Sequence, residues 1–203
     1  MRVALFGATG GTGSQVLAQG LAKGYAFKAL ARDPAKLATA EALEVMAGDV
    51  LDQDAVDRCL TDTDAVICVL GSHGAATPVE AAGTERIIAG MQRLGIMRLI
   101  AVTSMGVGDS REQVAAAFRV IMQLTLRKIM AAKEAQEQLI RESGLDWTIV
   151  RPGGLTDGPA TGAYRSGTDR SIRATRVSRA DVADFVLQQL TDNRYLHQTP
   201  AVS

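Results

Sequence analysis

The sequence predicts an α/β protein: a doubly wound parallel sheet with a small C-terminal substrate-side segment. Three observations predict it. Short apolar runs alternate with helix-like segments six times along the 203 residues, which is the signature of successive βαβ units. The run Asp64-Ala65-Val66-Ile67-Cys68-Val69-Leu70 is apolar almost throughout, as a strand covered on both faces must be. The first run, Val3-Ala4-Leu5-Phe6, enters a turn with glycines at GxxGxxG spacing, Gly7, Gly10 and Gly13, and a helix-like segment over 14–23 follows at once. Such a turn lets backbone amides approach a diphosphate without Cβ obstruction, and the positive end of the next helix faces the same place.

The elements follow in order. Residues 26–31 form a short apolar strand ending at Arg32-Asp33-Pro34, where proline punctuates the turn. A short helix is expected over 35–40 and a third strand over 44–48, ending at Asp49. Asp52 caps a helix that runs to Leu60. The fourth strand ends at Gly71, and a long helix over 78–94 is closed by Gly95. The fifth strand, 98–102, ends at Thr103-Ser104. Residues 112–143 read as mostly helical with one break, closed by Gly144. The sixth strand, 147–150, ends at Arg151-Pro152-Gly153-Gly154. The pattern then changes to a loop over 157–162 and short β-like pieces at 164–166 and 172–177. Ser178 caps a last helix, with Asp181 three residues on as in a capping box. The chain after Asn193 is weakly patterned.

At roughly 100–200 residues per domain, the length fits one dinucleotide-binding domain over 1–203, with 152–177 as its substrate-side loop segment. The 22 basic and 22 acidic residues cancel, against a nucleic-acid partner that would need a basic excess. No apolar run reaches the roughly 18 residues of a membrane span, so no membrane partner is expected. Cys59 and Cys68 are the only cysteines and no secretory stretch precedes the first strand, so the expectation is a reducing cytoplasm without disulfides. His73 and His197 have no companion at ligand spacing, which argues against a metal. A triphosphatase loop fails too, because Gly11-Thr12-Gly13-Ser14 lacks the lysine. Phe118, Ile121, Met122 and Leu126 mark one helix face, a core face or else the roof of a substrate pocket or a dimer surface. The partners expected are a small-molecule acceptor and, at most, a second copy of the chain: a monomer or homodimer.

Ligands of such sheets bind outside the carboxyl ends of the strands, so the residues just after each strand are the candidates. A carboxylate at the end of the second strand binds ribose hydroxyls and repels a 2′-phosphate, whereas arginine attracts one. Here that end carries Arg32, with Lys36 one turn on; this favours NADP, while Asp33 leaves NAD open. Asp49 can accept from an adenine amino group with Val50 against the ring, or cap a turn. Leu70 and Gly71 leave room for a ribose, or form an ordinary turn. Ser104 can touch the nicotinamide or a substrate carbonyl, or close a Ser/Thr turn. Lys133 can reach the nicotinamide ribose, or lie solvated on its helix.

Gly7-Ala8-Thr9-Gly10-Gly11-Thr12-Gly13 resembles the phosphate loop of the short-chain dehydrogenase/reductase superfamily, and in particular its atypical branch of NmrA-like proteins and biliverdin-IXβ/flavin reductases. Ala31-Arg32-Asp33-Pro34, Gly48-Asp49-Val50, Val102-Thr103-Ser104, the stretch from Ser143 through Trp147 and Pro152 to Leu155, and Leu155-Thr156-Asp157-Gly158-Pro159 support it, and Thr161-Gly162-Ala163-Tyr164 resembles the biliverdin-IXβ reductases. The resemblance implies NADP contacts from Gly7, Thr9, Gly10, Gly11, Thr12 and Gly13 to the diphosphate and from Arg32 and Lys36 to the 2′-phosphate. It also implies Asp49 and Val50 at the adenine, Leu70 and Gly71 at the ribose, and Ser104 with the backbone of Pro152, Gly153, Gly154 and Leu155 around the nicotinamide.

The chain also departs from the family. The YxxxK pair is missing, since Ile129 stands four residues before Lys133. Gly154 and Lys133 stand where the biliverdin-IXβ reductases carry histidines. Without a tyrosine acid, the chemistry that remains is hydride transfer from NADPH to a flat conjugated acceptor such as a flavin, a bilin-like molecule or a quinone, with Ser104, and secondarily Lys133, as the catalytic candidates. The alternative is a non-catalytic NADP(H)-binding sensor or assembly factor of the NmrA-like type. Sugar-nucleotide epimerisation fits less well, for want of that tyrosine and of chain beyond the sixth strand to build a sugar pocket.

Overall fold

The computed structural model describes residues 1–72, 77–116, 119 and 124–203. Strands β1 (Arg2–Phe6), β2 (Ala26–Ala31), β3 (Leu43–Ala47), β4 (Ala65–Cys68), β5 (Arg98–Val102) and β6 (Asp146–Pro152) lie side by side in the order β3-β2-β1-β4-β5-β6, all parallel. The doubly wound sheet read from the sequence is therefore present. The chain moves outward from β1 through β2 to β3, then returns to β4 on the other side of β1. That reversal leaves a crevice beyond the carboxyl ends of β1 and β4, where the glycine turn lies.

Every strand residue between the edges packs on one face or the other, which explains the uninterrupted apolar runs. Val3, Leu5, Ile67 and Ile100 face helices α1 (Gly11–Ala22) and α5 (Arg179–Gln188) through Val16, Val182 and Val186. Ala4, Phe6, Val66 and Leu99 face α2 (Gln53–Leu60), α3 (Glu80–Leu94) and α4 (Arg127–Glu142) through Val56, Ile87 and Ile140. Lys28, in the middle of β2, is only 6% exposed. Its ammonium donates to the carbonyls of Arg58 and Thr61 at 2.9 and 3.0 Å, so it caps the C-terminus of α2.

Several elements differ from the sequence expectation. Over 35–40 only a 3-10 turn forms, Pro34–Lys36, with no buried residue; helix-favouring alanines cannot hold a helix that has no face to bury. The 112–143 stretch keeps its single break, at Leu126: residues 116, 119, 124 and 125 are helical before it and α4 follows from Arg127, while a 3-10 turn over Gly108–Gln113 takes its first residues. Phe118, Ile121 and Met122 lie outside the described residues, as does His73. The chain after β6 builds β7 (Gly154–Thr156), β8 (Ser166–Gly167), β9 (Arg176–Ser178) and β10 (Ala201–Val202). β7 pairs with β9, while β10 extends the main sheet beside β6 and takes β8 antiparallel. Ser178 caps α5 by accepting from the Asp181 amide at 2.9 Å. Asp181 does not complete a capping box: its carboxylate accepts from the Thr161 and Gly162 amides at 2.7 and 2.9 Å and pins the 157–162 loop. Among the described residues no helix is long and apolar enough to cross a membrane, and no group of three or more His, Cys, Asp or Glu could hold a metal ion.

Candidate functional site

Gly7 leaves β1 at φ +92°, a conformation that L side chains rarely adopt. The Gly10 amide donates to the Gly7 carbonyl at 3.0 Å and closes the turn. A Cβ on Gly13 would stand 2.0 Å from that same carbonyl oxygen, so the third glycine is what lets α1 start tight against β1. Gly10, at the N-cap of α1, has no side chain to accept the helix's first amides, and the first turn holds no acid. These donors and the helix dipole are left for an anion.

A cleft of about 400 Å³ opens at this turn. The ends of all four neighbouring strands contribute to it: Gly7, Thr9, Gly10 and Gly11 from β1, Arg32 and Lys36 from β2, Asp49 and Val50 from β3, Leu70 and Gly71 from β4. Ten candidate residues scattered over the first 71 positions thus share one wall. Thr12 and Gly13 are buried in the first turn of α1 behind it. Arg32 is exposed and pairs with no carboxylate among the described residues. Asp33 lies 3.8 Å from the Lys36 ammonium and is not part of the cleft wall. One oxygen of Asp49 accepts from the Leu51 amide at 2.9 Å, so this carboxylate closes a turn while it lines the cleft.

The second group of candidates lies at the ends of β5 and β6, outside this cleft. The Met105 amide donates to the Pro152 carbonyl at 2.9 Å and ties the Ser104 turn to the Pro152 turn. Ser104 is half-buried and its hydroxyl donates to the Met105 carbonyl at 3.1 Å. Pro152 is buried, Gly153 backs onto the Thr175 carbonyl, and Gly154 and Leu155 are exposed. Lys133 is not a freely solvated helical lysine. It is partly buried in α4, and burial holds its ammonium below the usual lysine range against the raising effect of the Glu80 carboxylate. Glu80 is itself fully buried and accepts hydrogen bonds from the Ser72 hydroxyl and amide.

Three features were not anticipated from the sequence. Behind Ser104, the buried carboxylate of Glu137 accepts from the Thr103 hydroxyl at 2.8 Å and from two nitrogens of Arg151 at 2.9 and 2.7 Å. Arg151 in turn reaches Asp109 at 2.7 Å. Burial alone pushes the Asp109 carboxyl up, but the hydrogen bond and charge of Arg151 outweigh it and hold it below the usual range. Second, the Arg179 stem lies over Gly11, within 2.8 Å of where a Cβ would stand, and its guanidinium pairs with Asp157 at 2.6 Å. Third, three arginines after β5 line a cavity of their own. The first two join positions far apart in the chain, and no local spacing signals such contacts.

Residues 7–193 match the NAD(P)H-binding family. The chain belongs to this family. It is 32% identical to an uncharacterised chloroplast protein of Arabidopsis thaliana over 93% of this chain and 71% of that one. Identity to a (4-alkanoyl-5-oxo-2,5-dihydrofuran-3-yl)methyl phosphate reductase of Streptomyces griseus is 29%, over 97% of this chain and 66% of that one. Among solved structures, an anaerobillin reductase of Escherichia coli O157:H7 superposes with a TM-score of 0.80 at 25% identity, covering all of this chain and 96% of that one. Within the family, the match begins at Gly7, the first glycine of the cleft.

Proposed function

We propose that the chain is an NADPH-dependent reductase that transfers hydride to a flat conjugated acceptor: a flavin, a bilin-like molecule or a quinone. The observation that carries the cofactor choice is the placing of Arg32 and Lys36 in one cleft with the uncapped start of α1. The helix start suits a diphosphate, and a second cationic pair at the β2 end suits a 2′-phosphate. The dinucleotide's reduced nicotinamide supplies the hydride when bound. The chain's own part is placement. The amides of Gly11 to Gly13 hold the diphosphate. Asp49 and Val50 take the adenine, Leu70 and Gly71 the ribose. The Ser104 hydroxyl orients the nicotinamide or the acceptor carbonyl, and the backbone from Pro152 to Leu155 frames the ring, with Lys133 a second polar contact from α4. Solvent supplies the proton, so Ile129 in place of a tyrosine is no obstacle. Two relatives that cover most of this chain, the furan phosphate reductase and the anaerobillin reductase, bear reductase names. A monomer or homodimer acting on a small molecule in the cytoplasm fits this reading.

The test is NADPH oxidation followed at 340 nm (the reduced-nicotinamide absorbance band), with and without a flavin acceptor. Flavin-dependent turnover is expected. Tight NADPH binding without turnover on flavin, quinone or bilin acceptors overturns the reductase reading and leaves the sensor role.

A further inference from the structure

A second cavity, of about 280 Å³, opens beside the Ser104 turn. Its walls are Gly106 and Val107 after β5, one face of the first turns of α4, and the side chains of Arg111 and Arg119. The α4 face presents Arg127, Met130, Ala131 and Glu134, the three-and-four spacing of residues stacked on one side of a helix. Three guanidiniums thus meet one carboxylate, in a chain whose 22 basic and 22 acidic residues cancel as a whole. Glu134 is taken by Arg111 at 2.8 Å. Arg119 and Arg127 pair with no carboxylate among the described residues. The N-cap of α4, Leu126, makes no side-chain cap, and the first turn of the helix holds no acid. Among the described residues, Val107 and Met130 give the cavity its apolar side chains.

We infer that the acceptor carries a phosphate monoester, and that Arg119 and Arg127 bind it while Val107 and Met130 cover the apolar body. The inference rests on the reductase reading and narrows its substrate class. Two guanidiniums with no carboxylate partner among the described residues suit a group bearing close to two negative charges near neutral pH, and their planar donors match phosphate oxygens. Gly106 lies two residues beyond Ser104, so a molecule anchored here extends toward the end of β5, where the proposed site meets the nicotinamide.

The test compares flavin mononucleotide with riboflavin, which lacks only the phosphate. Binding is read by quenching of flavin fluorescence in the NADP⁺-loaded protein, independently of turnover. The mononucleotide is expected to bind tighter by roughly tenfold or more, and added salt is expected to erode that advantage. In the double variant Arg119→Gln, Arg127→Gln the advantage disappears, while NADPH affinity and melting temperature report an intact fold. Equal binding of the two flavins, binding of neither, or a preference that survives the double variant overturns the inference. The two readings fail separately. Preferential binding of the mononucleotide without its reduction removes the reductase and keeps the anion site. Reduction of both flavins with the same KM keeps the reductase and removes the anion site.

Discussion

The two halves of the sheet build their ends differently. From β1 to β4 the cleft is made largely of backbone: a positive-φ glycine, uncapped helix amides, and strand ends where Gly48 and Gly71 clear the space. From β5 onward the equivalent region is made of side chains held by other side chains. Glu137 from α4, Arg151 from β6, Thr103 after β5 and Asp109 from the next turn form one chain of charge-assisted contacts. A site made of backbone amides suits an anion whatever side chains surround it. A side-chain site can be changed by exchanging residues.

The sharpest way to break this comparison is Glu137→Ala. It strands the Arg151 guanidinium, 3% exposed, without its main partner. A loss of about 3–5 kcal/mol is expected in urea denaturation, while Met at both positions should recover much of it. A loss below about 1 kcal/mol would mean that the network is not what holds the β5–β6 side together. Next in size is Arg32→Ala on the backbone side. The missing charge-assisted contact should weaken NADPH binding by about 1.5–3 kcal/mol, or roughly ten- to hundredfold, and leave NADH nearly unchanged. Equal losses for both dinucleotides would remove the 2′-phosphate assignment.

The smallest effect concerns Asp181. Burial pushes this carboxyl up, but hydrogen bonds from Gly162, Ser178 and Thr161 outweigh it and hold it below the usual aspartate range. A depressed value means stability that is present above the unfolded value, ~3.9, and lost as pH falls through the lower folded one. Asp181→Asn should therefore cost about 1–2 kcal/mol at pH 7. The gap to the parent protein should close as pH drops below about 4. A gap constant down to pH 3 would show that the loop is not pinned through the carboxylate.

The same contrast decides what could be read from the sequence. The wall of Gly7, Arg32, Asp49 and Gly71 is legible because each residue follows a strand whose apolar run is itself legible, and parallel order brings the strand ends together. The burial of Lys133 leaves no mark in the sequence, because helical position says nothing about Glu80, 53 residues earlier in the chain. Asp181 carries the right spacing for a capping box and is drawn instead to amides about 20 residues upstream. β10 is two residues long, too short for any period to show. The arginine cavity has no local pattern, because Arg111, Arg119 and Arg127 meet only once α4 is in place.

Cys59 and Cys68 both lie in the first half, fully buried. Burial pushes the Cys59 thiol up to about 12, despite the lowering charge of Lys28, and raises Cys68 as well. Nucleophilic attack needs a thiolate with access to its target, and neither sulfur has it while α2 and β4 stay packed. Alkylation is thus confined to moments when the packing around α2 and β4 opens, including that of Gln136 from α4 against the Cys68 sulfur, so its rate is a clock for opening of the sheet's centre.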